Sequence, residues 1–170
     1  MTKFGIFIDV QDKRWKESIP SIEALIENAK TTVLKIVQQD VWFLSEPKNF
    51  TINLVLSDDE TVHQLNKKFR GIDSPTNVLS FANIDDDFFD ETLVKENDVE
   101  LGDVIVAYET MKKQAEEIDV PLKDHFCHLW VHGILHILGF DHIQDDERAI
   151  MEAKEIEILK KLGIENPYQE

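Results

Sequence analysis

The chain has 170 residues, with 18 Lys or Arg against 34 Asp or Glu, and its formal net charge is −16. The hydrophobic share of 42% excludes a disordered chain, and the acidity excludes a protein that coats nucleic acid by bulk charge. The single cysteine, Cys127, excludes an intramolecular disulfide. No signal-like start and no run of about 18 apolar residues is found. We therefore expect one domain over residues 1–170, in the cytoplasm and not in a membrane.

Alternating apolar residues predict the strands, and apolar residues at helical spacing predict the helices. In chain order we expect strands at 4–10, 50–56, 78–81 and 104–107, and helices at 20–39, 58–70, 108–118, 121–138 and 145–162. The second helix is predicted to begin at a capping box of Ser57 and Glu60 and to pack through Val62, Leu65 and Phe69. The order predicts an α+β fold, with a small mixed β-sheet of about four strands packed with about five helices.

An acidic segment separates the two halves of this pattern. Residues 85–100 hold eight acids and one lysine, a net charge of −7. We expect an exposed loop there, because a run of like charges is typical of a solvated segment.

Four of the six histidines lie on the helix predicted at 121–138. His125, His128, His132 and His136 fall within a face about 80° wide, taking about 100° per residue. The other faces are apolar, which predicts a buried central helix. Buried polar groups without partners cost about 1–3 kcal/mol each, so the imidazoles need partners.

A metal ion would meet that need. His132 and His136 are one turn apart, Gly139 allows the chain to reverse, and His142 can then supply a third nitrogen. This H-x-x-x-H-x-x-G-x-x-H spacing is that of metzincin zinc sites. Three imidazoles with an open fourth position predict a catalytic zinc site with one ion per chain. Metzincins have a general-base Glu directly after the first histidine, whereas this chain has Gly133.

Residues 132–142, H-G-I-L-H-I-L-G-F-D-H, resemble the signature of the bacterial YbeY family. Residues 65–70, L-N-K-K-F-R, residues 75–81, P-T-N-V-L-S-F, and residues 101–104, L-G-D-V, are similar to further blocks of that family. Asn77 stands where the family usually has Asp, so one carboxylate is missing near the predicted cleft.

The resemblance implies a metal-dependent endoribonuclease that is specific for single-stranded RNA. It implies action at the 3′ end of 16S rRNA and in ribosome quality control, with ribosomal proteins as possible partners. It assigns His132, His136 and His142 as the zinc ligands, and Arg70 as a catalytic or phosphate-binding residue. His125 and His128 are expected to support the site rather than to bind the metal.

Two other classes of function stay open at this point. The ligand spacing also fits a zinc peptidase-like hydrolase, which Gly133 disfavours because glycine cannot move protons. A non-catalytic ribosome-associated factor with a structural metal would have a filled fourth ligand position. The physiological metal, the general base, the cleavage chemistry and the oligomeric state are not determined by the sequence.

Overall fold

The computed structural model describes residues 3–141 and 144–168. These residues form four strands and seven α-helices: β1 (Lys3–Val10), α1 (Arg14–Ser18), α2 (Ile22–Val37), β2 (Asn49–Ser57), α3 (Asp59–Arg70), β3 (Val78–Ala82), α4 (Phe89–Lys95), β4 (Asp98–Ala107), α5 (Tyr108–Glu117), α6 (Leu122–Ile137) and α7 (Asp145–Lys161). Short 3₁₀ turns occur at Trp42–Ser45 and Asn83–Asp85. The predicted α+β class and the four strands are confirmed.

The sheet is mixed, as predicted, with strand order β1-β2-β4-β3. β1 pairs with β2 and β2 pairs with β4 in parallel, whereas β3 is antiparallel to β4 and forms one edge of the sheet. The two parallel pairs are connected through helices, as parallel strands require.

The two faces of the sheet pack against core clusters of different size. One face packs against α2 and α6 in the large apolar core, and Trp130 of α6 donates its indole N–H to the carbonyl of Ile26 at 3.1 Å. The other face is covered by α3 over a smaller cluster that includes Val62, Leu79 and Ile105. α6 therefore lies against the core face of the sheet, which makes it the buried central helix that the sequence predicts.

Two predictions of helix and loop boundaries are wrong, and Phe69 of α3, expected to pack with Val62 and Leu65, is 60% exposed. The cap of α3 is Asp58, whose carboxylate accepts a hydrogen bond from the backbone N–H of Thr61 at 2.9 Å. Ser57 is buried instead and donates to the side chain of Gln11. The second error concerns residues 85–100, which are not one loop.

The acidic segment contains α4 and the start of β4. Phe89 and Leu93 are one turn apart and both pack into the large core, which holds this short helix against the domain despite its charge. α4 and the five-residue α1 account for the difference between the five predicted helices and the seven observed. No helix in residues 3–141 and 144–168 is long and apolar enough to cross a membrane.

Candidate metal and RNA-binding cleft

A cleft of about 520 Å³ opens between the edge strand β3 and the histidine-bearing face of α6. Arg70 at the end of α3 borders it from a third element. The polar side chains that line the cleft are Arg70, Asn77, Ser80, Asp85, His132, His136 and Asp141. The fold thus brings together, in one cleft, residues that are up to 71 positions apart in the chain.

His132 and His136 direct their Nε2 atoms toward each other, and these atoms are 3.1 Å apart. Two nitrogens that bind one tetrahedral zinc at about 2.0–2.1 Å are separated by about 3.3 Å. The spacing of one helical turn on a straight, buried helix produces this arrangement. The pair therefore fits two ligands of a single ion.

Glu155 of α7 fixes the orientation of His132. Its side chain is fully buried, and its Oε1 atom accepts a hydrogen bond from Nδ1 of His132. With the proton on Nδ1, the lone pair of His132 is on Nε2, the atom that faces His136. A carboxylate behind a metal-binding histidine is a common second partner in metal sites, because it holds both the tautomer and the ring plane.

Tyr168 completes the surroundings of this carboxylate. Its hydroxyl donates to Oε2 of Glu155, and His128 Nε2 lies 3.9 Å from the same oxygen. Burial alone would raise the pKa of Glu155, but the contacts from His128, His132 and Tyr168 outweigh it and lower the pKa to about 2. The group is therefore an anion beside the predicted metal ligand.

Sequence reasoning missed both Glu155 and Tyr168. A signal for Glu155 existed, since it lies between Met151 and Ile158 on the buried side of α7, where an acid needs a partner. Tyr168 follows the last helix and carried no such signal.

The third predicted ligand, His142, lies outside the described residues. Within residues 3–141 and 144–168, no group of three His, Cys, Asp or Glu side chains is arranged to hold a metal ion. The described part of the chain contributes two converging imidazoles. Gly139, where the predicted reversal begins, has φ of 106°, a conformation that favours glycine.

Arg70 reaches the cleft over the free edge of the sheet. Its Nη2 donates to the carbonyl of Ser80 at 2.7 Å, and its guanidinium carbon lies 5.3 Å from the ring centroid of Phe81. β3 is an edge strand, so the Ser80 carbonyl is available to a side chain. These two contacts hold a cation in the cleft that contains the histidine pair.

Close packing between α6 and the sheet explains why residue 133 is a glycine. A Cβ atom at this position would lie 2.8 Å from Cγ1 of Val104, which is fully buried in β4, and 3.5 Å from Oγ of Ser80. α6 therefore approaches the sheet too closely for any side chain at this point. The general-base Glu of a metzincin has no space here.

His125 and His128 do not line the cleft. Nε2 of His125 lies 3.1 Å from Oε1 of Gln114, which also accepts from Nδ2 of Asn77 at 2.9 Å. Burial, with a smaller contribution from His128, lowers the pKa of His125 to about 4, so the ring is neutral near pH 7. Both histidines border a separate cavity beside the C-terminal segment, which contains Asn166 and Pro167.

The fold and this cleft define an α+β protein in which a buried helix presents paired imidazoles beside an antiparallel edge strand. A family model described as Endoribonuclease YbeY matches residues 9–163. The Endoribonuclease YbeY of Paramagnetospirillum magneticum is 42% identical over 165 residues, covering 97% of this chain and 96% of that protein. That of Sinorhizobium fredii is 37% identical over 170 residues, covering 99% and 94%.

The chain therefore belongs to the endoribonuclease YbeY family, as the motifs predict. A Thermotoga maritima protein of known solution structure has the same fold, with a TM-score of 0.54 at 23% identity, covering 97% of this chain and 99% of that one.

Proposed function

We propose that the protein is a zinc-dependent endoribonuclease that cleaves single-stranded RNA. The observation that carries this proposal is the cleft itself, in which Nε2 of His132, Nε2 of His136 and the guanidinium of Arg70 share one space. Membership of an endoribonuclease family supplies the class of substrate. Phosphodiester cleavage needs stabilisation of anionic charge, which a cation and a metal ion provide together.

His132, His136 and His142 would hold the ion. A zinc ion bound by three imidazoles supplies a Lewis acid that polarises phosphate oxygens and lowers the pKa of water. Glu155 holds the His132 ring with its Nε2 lone pair facing the cleft. The negative charge of the buried carboxylate also makes that imidazole a stronger donor.

Arg70 binds the phosphate that is attacked. One of its N–H groups is used by the Ser80 carbonyl, and the guanidinium has five N–H donors in all. The remaining donors can contact two phosphate oxygens in a bidentate arrangement. Asp85 and Asp141 also border the cleft and repel anions. The attraction is therefore concentrated at Arg70 and the metal position, which favours one phosphate over many.

The family resemblance extends the proposal to a biological role. We infer that the RNA is 16S rRNA, cleaved near its 3′ end within the ribosome in the cytoplasm, and that the activity serves ribosome quality control. Recognition then relies on a carrier, because the chain as a whole has a charge of −16 and repels free RNA. Sequencing of 16S 3′ ends in host cells depleted of the protein should show unprocessed ends, and normal ends would contradict this role.

The enzymatic proposal is tested with purified protein, a single-stranded RNA and its matched duplex. We expect about one zinc per chain, cleavage of the single strand, and loss of both zinc and cleavage in His136→Ala. Cleavage by a variant that binds no metal would overturn the mechanism. Hydrolysis of a peptide instead of RNA would establish the peptidase-like alternative, which the packing of Gly133 opposes. Bound zinc with no hydrolysis of either substrate would indicate a structural metal.

A further inference from the structure

Phe69 is an apolar residue that the fold leaves in water. The sequence pattern places it on the packing stripe of α3 with Val62 and Leu65, yet 60% of its surface is exposed. The smaller core cluster includes Val62 and Leu65 but not Phe69. α3 packs on strands β3 and β4, and the residues of its last turn, 67–70, are exposed. Phe81 contacts Phe69 edge to face, with ring centroids 5.8 Å apart and an angle of 69° between the planes.

Three cations are close to this exposed ring along the chain, and one of them lies over it. Lys67, Lys68 and Arg70 lie in the same turn, in a chain whose net charge is −16. Nζ of Lys68 lies 5.2 Å from the centroid of Phe69, on the electron-rich face of the ring. The nearby acid Asp73 is paired through its Oδ1 with Nε2 of His63 at 2.6 Å. The turn is therefore a local positive surface around an aromatic platform.

This platform is continuous with the cleft. Arg70 stacks on Phe81, which contacts Phe69, and Arg70 also borders the cleft with His132 and His136. A strand whose phosphate is bound by Arg70 therefore passes beside Phe69 as it leaves the cleft. A single ring with cations around it matches a nucleotide better than a protein surface, because a protein partner would need a larger apolar area.

We propose that Phe69 is a base-binding subsite, on which an unpaired base next to the phosphate held by Arg70 stacks. The subsite rests on the proposed function, because it assumes RNA in the cleft. Lys67 and Lys68 are placed to contact the flanking phosphates, since both are exposed in the same turn. Stacking needs an exposed base face, so the subsite favours single strands over duplexes without reading the identity of the base.

The first test measures binding without cleavage. Metal-free protein is titrated into a fluorescein-labelled 12-nucleotide RNA, and the dissociation constant is read from anisotropy. We expect Phe69→Ala to weaken single-strand binding by about 5- to 100-fold, and Phe69→Tyr to stay within about twofold of the wild type because it keeps the ring. Phe7 is a matched control, since it is 65% exposed and lies on β1 at the opposite edge of the sheet. Phe7→Ala should bind like the wild type.

The second test locates the base. A set of oligonucleotides, each with one abasic position, is bound to the wild type and to Phe69→Ala. We expect one abasic position to weaken RNA binding by the wild type without changing RNA binding by Phe69→Ala. This coupling between the base and the side chain indicates a direct contact. Circular dichroism melting verifies that the variant folds.

The possible failures are distinguishable. Equal affinity of Phe69→Ala and the wild type for every oligonucleotide overturns the subsite and leaves the endoribonuclease proposal standing. A stacking contact in a protein that shows no zinc-dependent cleavage supports the subsite and overturns the enzymatic proposal. A wild type that neither binds single-stranded RNA nor, when loaded with zinc, cleaves it overturns both.

Discussion

Replacing Glu155 by Gln should weaken zinc binding without unfolding the protein. The two side chains have nearly the same shape, so the fully buried site stays filled. What changes is the charge. In the native protein the two donors use different oxygens, with His132 Nδ1 bonded to Oε1 and the Tyr168 hydroxyl to Oε2. In Gln one of these oxygens becomes an NH2 group, so an acceptor stays at only one of the two positions.

The size of the effect follows from these contacts. A hydrogen bond to a charged group contributes about 1.5–3 kcal/mol, and a neutral one contributes about 0.5–1.5 kcal/mol. Without the charge, the contact with His132 should hold the ring in its metal-binding orientation with about 1–2 kcal/mol less free energy. This corresponds to about a 5- to 30-fold loss of zinc affinity. This overlaps the 10- to 100-fold losses that are typical for removing such a partner.

Competition against a colorimetric zinc chelator measures this affinity directly. Glu157→Gln is the matched control, because Glu157 lies on the same helix but is exposed. It should bind zinc like the wild type. Thermal melting of the metal-free proteins separates a loss of affinity from a loss of folding. Zinc affinity of Glu155→Gln within twofold of the wild type, with normal melting, would refute the positioning role of Glu155.

Gly133→Ala should lower the free energy of unfolding by up to about 2 kcal/mol in urea titrations, because the new methyl group overlaps Val104 and the gain in helix propensity of about 1 kcal/mol offsets only part of that strain; unchanged stability would contradict the close packing. Arg70→Ala should lower kcat/KM for RNA cleavage by about 100-fold and Arg70→Lys by less, whereas equal activity would remove Arg70 from phosphate binding. The pKa of His125 is about 4 in the folded state against 6.5 ordinarily, so the unfolded chain binds the proton first as the pH falls. The free energy of unfolding of the metal-free protein should therefore fall by up to about 3 kcal/mol between pH 6.5 and 4. His125→Gln should reduce this loss, and a pH profile identical to that of the wild type would contradict the lowered pKa of His125. Binding of free RNA should depend weakly on salt, with a slope of log affinity against log salt concentration near about −2 for three cationic contacts, and a much steeper slope would mean that more of the surface binds RNA.

The sequence predicts that His132 and His136 converge, because a helix places residues i and i+4 on one face whatever the rest of the fold does. His132 and His136 therefore converge as the spacing indicates. Gly139 takes the positive φ that its place at the helix end favours. The role of the pair as zinc ligands, with His142, stays a prediction, as does the single domain over residues 1–170.

The remaining features depend on contacts between elements that are distant in the chain. Glu155 meets His132 only because α7 packs against α6, and no pattern within either helix determines which acid faces the pair. The contact of Asn77 likewise cannot be predicted from its local sequence. Its amide donates to Gln114 of α5, so the residue has a structural contact that its place in a motif does not reveal.

Local periodicity thus determines the four strands, five of the seven helices in the described residues, the α+β class and the histidine pair, since these depend on backbone geometry and on the side of an element that is apolar. Packing decides the rest. It places Phe89 and Leu93 of the acidic segment in the core, although charge alone predicts a loop. It also leaves Phe69 exposed at the edge of the sheet, although the helical stripe predicts a buried ring. Burial depends on where a neighbouring element begins and ends, and that information is held by the whole fold rather than by any one segment.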